Sequence, residues 1–119
     1  MTIIDIPISV GELLDKISIL SIKSQHTNNQ YVLKELQDLI QIAKKHQVYN
    51  DSYLTKLFQV NEKLWSIEDR LRVLEKEQRF DEEFIELARS VYKTNDLRAQ
   101  IKKEINEETQ STYQEIKLY

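Results

Sequence analysis

The chain has 119 residues, enough for one domain that buries about two-thirds of the surface its unfolded form exposes. One glycine, one proline and no cysteine leave little turn chemistry for a multi-stranded sheet, and they exclude disulfides and cysteine nucleophiles. Seventeen basic residues against twenty acidic ones, a formal charge of −3, argue against nucleic acid as a partner. No apolar run is long enough to span a membrane. The start, Met1 to Pro7, carries Asp5 inside its apolar stretch and does not read as a signal peptide. A cytoplasmic protein made of a single helical domain, residues 1–119, is the expectation.

Residues Thr2 to Ile8 alternate, with Ile4, Ile6 and Ile8 on one side, which reads as an extended segment that Pro7 restricts to an edge. Ser9 with Glu12 three positions on makes a capping box for a first helix. Glu12 and Lys16 form an i,i+4 pair on it, and Leu13, Leu14, Ile17 and Leu20 supply its apolar face. That helix fades near His26. Asn28 or Asn29 caps a second helix with the stripe Val32, Leu33, Leu36, Leu39, Ile40 and Ala43, closed by Lys44, Lys45 and His46 where the dipole favours positive charge.

Asn50-Asp51-Ser52 caps a third helix, expected to run to about Gln78 and so to measure roughly 40 Å. Its apolar residues Tyr53, Leu57, Val60, Leu64, Ile67, Leu71 and Leu74 repeat at steps of four and three. Asp81 caps a fourth helix, to about Glu108, where the rhythm resumes with Phe84, Leu87 and Val91 and ends with Ile101 and Ile105. Two such seams joined by a short break predict an antiparallel helical hairpin. The tail, with Tyr113, Ile116, Leu118 and Tyr119, reads as a second extended segment able to pair with the first.

Within the fourth helix the apolar seam gives way to Thr94, Asn95 and Arg98. In a hairpin centred near residues 79 and 80, Leu71 meets Ala88, Ile67 meets Tyr92, Leu64 meets Asn95 and Asn61 meets Arg98. Arg98 at that depth has to be paired, reach water or face a ligand, because an unpaired buried charge costs several kcal/mol. With Trp65, Glu68, Asp69 and Tyr92 close by, the cluster has the makeup of a small anion or sugar site. The same residues can instead fix helix register and partner choice.

Other candidates carry less. Glu83-x-x-Glu86 and Glu104-x-x-Glu107 resemble the metal-binding carboxylates of all-helical nucleotide pyrophosphohydrolases, but on one helix they stand roughly 30 Å apart. The basic set Arg89, Lys93, Arg98, Lys102 and Lys103 is interleaved with acids, as on a solvated face. His26 and His46 read as helix-end residues. No Gly-rich phosphate loop and no Ser-His-Asp set is present.

Several words place the chain beside a family: Ser9-Val10-Gly11-Glu12-Leu13-Leu14-Asp15-Lys16-Ile17-Ser18-Ile19-Leu20, then Leu64-Trp65 with Ile67-Glu68-Asp69. Further on stand Phe80-Asp81-Glu82-Glu83-Phe84, Leu87-Ala88-Arg89-Ser90-Val91-Tyr92 and Asn95-Asp96-Leu97-Arg98-Ala99. Through them the chain resembles small bacterial and phage proteins grouped as domain of unknown function 6165. That resemblance implies no activity. It does imply a neighbourhood of glycosyltransferases and surface-polysaccharide enzymes. The family's usual Gly-Ser after the Ile-Asn word is replaced here by Gln110-Ser111. It also groups polar words from three helices, so that Asp15 and Lys16 join Asn61, Trp65, Glu68, Asp69, Arg89, Tyr92, Asn95, Asp96 and Arg98 as candidate ligand-binding residues.

The sequence therefore predicts an all-α domain: a long antiparallel helical hairpin, two shorter helices packed on it, and extended ends. No cofactor, no metal site, no nucleic acid and no membrane is expected. Exposed seams on long helices point to a homodimer. The function expected is a non-catalytic helical binding or assembly module, with a protein or a small anionic ligand as partner. The alternative is a small enzyme for a phosphorylated or nucleotide-linked substrate. There Asp15, Glu68 or Asp69 would serve as acid/base and Lys16, Arg89 or Arg98 would hold phosphate.

Overall fold

In a computed structural model that describes residues 2–119, four helices account for the fold: α1 (Val10–His26), α2 (Gln30–Lys45), α3 (Asp51–Lys76) and α4 (Glu82–Glu108). No strand occurs among the described residues. The all-α class and the hairpin of α3 and α4 are as the periodicity predicts. α1 packs against each of the other three helices, whereas α2 packs against α1. The core gathers where they meet, around Leu13, Leu14, Ile17, Ala43, Leu57 and Ile105.

The helix starts follow the capping chemistry closely. Ser9 Oγ accepts from the Glu12 N–H at 3.1 Å, Asn29 from Tyr31 at 2.8 Å and Asn50 from Tyr53 at 2.9 Å. Asp81 takes the N-cap position of α4, but its carboxylate makes no capping bond. Arg79 two residues earlier holds it at 3.2 Å. Glu12 likewise leaves its expected partner Lys16 and pairs with Lys102 of α4 at 2.7 Å.

Three of the helices stop in the same way. Gln47, Gln78 and Gln110 have φ of 58, 56 and 53°, the left-handed conformation usually given to glycine just past a helix. Each is followed by a residue whose N–H reaches back to the fifth carbonyl before it: Val48 to Ala43 at 2.9 Å, Arg79 to Leu74 at 2.9 Å, Ser111 to Asn106 at 2.8 Å. These bonds satisfy carbonyls that the helix end would leave bare. Gln110, which stands where the resemblance implies a glycine, is one of these three left-handed residues.

The single glycine has a different task. The first N–H groups of α1 are met largely from the end of α4: Val10 donates to Ser111 Oγ at 3.2 Å and Gly11 to Asn106 Oδ1 at 2.7 Å. A Cβ on Gly11 would stand 2.7 Å from the Lys102 carbonyl oxygen and 2.9 Å from Asn106 Oδ1. The absence of a side chain is what lets the two backbones touch.

The two extended ends do not pair as strands. The residues after Ser111 turn back along α4, where Glu115 meets Lys102 at 3.3 Å and Lys117 meets Asp96 at 3.0 Å. Ile116 and Leu118 point outward, 75% and 89% exposed. Alternation is present in this tail, but its charged side is the one that docks. At the hairpin, Ala88 and Tyr92 are exposed and do not oppose Leu71 and Ile67; the inward positions of α4 are Leu87, Val91 and the buried Thr94.

Two changes test this reading by chemical denaturation. Gly11→Ala forces backbone apart and is expected to cost about 1–3 kcal/mol despite alanine's better helix propensity. Gln110→Gly relieves a left-handed strain of about 1–2 kcal/mol and loses part of that to unfolded-chain entropy, so a net gain of roughly 0.5–1 kcal/mol is expected.

Candidate functional site

The centre of the polar cluster is Asp15, a carboxylate with no exposed surface. It lies one turn into α1, on the face turned toward the hairpin, between Leu14 and Ile17. Its Oδ1 accepts from Asn61 Nδ2 of α3 at 2.9 Å and from Arg98 Nε of α4 at 3.0 Å. Its Oδ2 accepts from Arg98 Nη2, which completes a two-point grip. Asn61 Nδ2 also donates to Ser18 Oγ at 2.8 Å, and that hydroxyl donates to the Asp15 carbonyl at 2.7 Å. Three helices are thus tied at one level. The predicted meeting of Asn61 and Arg98 occurs, with Asp15 between them.

Electrostatics follow from the contacts. Hydrogen bonding to Asp15 holds the Arg98 guanidinium above its ordinary value, while burial acts in the opposite direction. For Lys102, whose side chain is 9% exposed, burial alone would push the ammonium down. The bond to Glu12 and the charges of Glu12, Asp15 and Glu115 outweigh that, and its net shift is upward. Asp15, Arg98, Glu12, Lys102 and Glu115 therefore form one alternating charge network running down the α1–α4 contact.

Arg98 keeps 27% of its side chain exposed and borders two clefts. The first, about 420 Å³, lies between α1 and α3, with Ile19, Ile22 and Leu64 as apolar floor and Asn61, Trp65, Glu68, Asp69 and Arg72 around it. Trp65 carries His26 stacked on its ring, centroids 4.5 Å apart and planes 13° from parallel. The second, about 640 Å³, lies on α4 between Tyr92, Asn95 and Asp96 and the tail residues Glu115, Lys117 and Tyr119.

The chain matches a family of unknown function, DUF6165, over residues 4–119. It belongs to that family. No curated protein and no solved structure matches it. In this DUF6165 member the candidate residues read from the sequence do not form one pocket. Asp15 is sealed inside. Asn61, Trp65, Glu68 and Asp69 line the α1–α3 cleft, while Tyr92, Asn95 and Asp96 line the α4 cleft. Lys16 and Arg89 are exposed and border neither.

Sequence reasoning missed Arg72, Lys117 and Tyr119 as cleft residues. Arg72 was legible, since it stands four and seven residues beyond Glu68 and Trp65 on the same helical face. The tail residues were not, because their place depends on the chain reversing after α4. Glu83, one of the paired acids, is occupied by Arg70 at 2.8 and 2.9 Å.

Removing Arg98 leaves a sealed carboxylate short of its cation. Arg98→Ala is expected to lower stability by about 3–5 kcal/mol in urea unfolding, against about 0.5 kcal/mol for an ordinary surface arginine. Lys102 gives a pH signature. Its ammonium is favoured in the folded state, so its contribution is complete below about 10.5, the ordinary value, and fades as pH rises through the higher folded value. Thermal melts of the native chain are expected to fall more steeply above that pH than those of Lys102→Met.

Proposed function

We propose that this chain is a non-catalytic binding module whose ligand cleft is the one between α1 and α3. The reading rests on one observation above the others. Asp15, the carboxylate best placed against a cation, is completely enclosed and held by three donors from Arg98 and Asn61. It is architecture, and it aims the outer edge of Arg98 into the cleft.

The cleft then offers two kinds of handle over an apolar floor. Arg72 and the outer edge of Arg98 suit phosphate, as bidentate donors do. Glu68 and Asp69 are exposed carboxylates suited to accept from hydroxyls. A phosphorylated or nucleotide-linked sugar carries both groups, and it fits the polysaccharide setting implied by the resemblance. The rival reading keeps the same ligand and makes Glu68 or Asp69 a general acid/base; their exposure beside two arginines is what favours it.

Trp65 is the only tryptophan, so its fluorescence reports this cleft directly. A sugar nucleotide is expected to change Trp65 emission and raise the melting temperature, by the equivalent of about 2.7 kcal/mol at 100 times its dissociation constant. Inorganic phosphate should bind more weakly at the same place. Arg72→Ala, which leaves the Asp15 network intact, should abolish both signals. Release of free sugar or nucleotide during incubation would replace the binding module with the enzyme, and unchanged signals across nucleotides, sugar phosphates and sugar nucleotides would remove the cleft.

A further inference from the structure

α4 carries a second row of side chains beside the seam that faces α3. Ile85, Ala88, Tyr92, Asn95 and Ala99 follow one another at steps of three and four, the spacing of a coiled-coil seam. The chain leaves the first half of this row open: Ile85 is 55% exposed, Tyr92 53%, and Ala88 faces solvent. The path of α1 explains why. It touches α4 from Gly11 to Asp15, at Asn106, Lys102 and Arg98, and then crosses to α3, where His26 reaches Trp65. Alanines at two positions keep the row low enough for another helix to approach closely.

We propose that this row is a self-complementary seam on which a second copy of the chain docks its own α4, antiparallel, about a two-fold axis. Charge sets the register. On the outer flank of the row stand Glu82, Arg89, Asp96 and Lys103, alternating in sign at seven-residue steps. All four are exposed. Antiparallel helices bring the same flank of both copies together. The register that sets Arg89 against the second copy's Asp96 also sets Glu82 against its Lys103. In that register Tyr92 packs beside the second copy's Asn95 at the two-fold axis, and Ala88 packs beside its Ala99, small against small, on either side of it. A slip of one heptad in one direction puts Arg89 on Arg89 and Glu82 on Asp96. A slip in the other puts Asp96 on Asp96 and Arg89 on Lys103. Both wrong registers meet like charges, so one arrangement is selected.

The tail now holds part of this face, through Lys117 at 3.0 Å from Asp96 and with Tyr119 over the same cleft. Docking exchanges Lys117 for the second copy's Arg89 and swings the last residues off α4. Ile116 and Leu118 already lie in solvent, so that movement uncovers little apolar surface.

Sedimentation velocity on the full chain tests the seam. The native chain is expected to dimerise with rising concentration. Arg89→Asp or Asp96→Arg alone should weaken the dimer tenfold or more, and the two together should restore it. Because the chain has no cysteine, register can be read separately. Ala88→Cys combined with Ala99→Cys should form a disulfide-linked dimer on mild oxidation, while Ala88→Cys alone should not, since equivalent residues stand roughly 16 Å apart along the axis. Circular dichroism confirms that each variant folds. A native chain that stays monomeric at every concentration overturns the proposal. So does a dimer indifferent to both charge reversals, or one in which Ala88→Cys alone cross-links as well as the pair.

Discussion

Asp15 sits where α1, α3 and α4 come to one level, and its complete burial governs the geometry around it. A carboxylate stripped of water has to be compensated by donors in good geometry, or it becomes a large liability. Here Arg98 and Asn61 supply three donors, and Ser18 ties Asn61 back to α1. An apolar residue in place of Asp15 could fill the space but would say little about which level of α3 meets which level of α4. The ion pair says it with directional bonds. Its net worth in stability is modest for that reason, whereas the loss of one partner is costly.

The two clefts are consequences of the same crossing. α1 begins in backbone contact with α4, which Gly11 permits, and is held there by Asn106, Lys102 and Arg98. It then veers over α3. An arginine at the point of divergence inevitably borders both of the spaces that open on either side. The only glycine in the chain is used for this close approach, while the three turns that would favour glycine are made by glutamines. Packing at the helix crossing outranks comfort in the turns.

Much of this was legible in the sequence. Steps of three and four located both hairpin helices and brought Asn61 and Arg98 to one level, and the cap residues marked helix starts within a residue. What failed did so for definable reasons. Lys16 follows Asp15 by one residue and so points about 100° away from it; Arg89 precedes Arg98 by nine, which places it on the opposite side of α4. Words of sequence group neighbours that a helix separates. The tail was read from its apolar residues, yet Glu115 and Lys117 dock it, because the groups waiting on α4 are Lys102 and Asp96. Pairing partners that lie on another element cannot be seen in a local pattern. Asp81 kept its capping position and lost its capping bond to a nearby arginine, a competition that periodicity does not register.

Arg98 borders both the α1–α3 cleft and the α4 face, which raises the question of communication between them. Coupling needs an element with two arrangements, each favoured by one of the occupants. Arg98 is a poor candidate, since its guanidinium is gripped at two points by a carboxylate that cannot move without breaking its bond to Asn61. The tail is a better one. It is held to α4 by salt bridges at Asp96 and Lys102, carries its apolar side chains in solvent, and covers the α4 face while leaving the α1–α3 cleft untouched. A tail that switches therefore acts on the α4 face, through exchange of the Lys117–Asp96 ion pair, whose strength falls with salt. The α1–α3 cleft, which the tail does not touch, is bordered instead by the sealed Asp15–Arg98–Asn61 network.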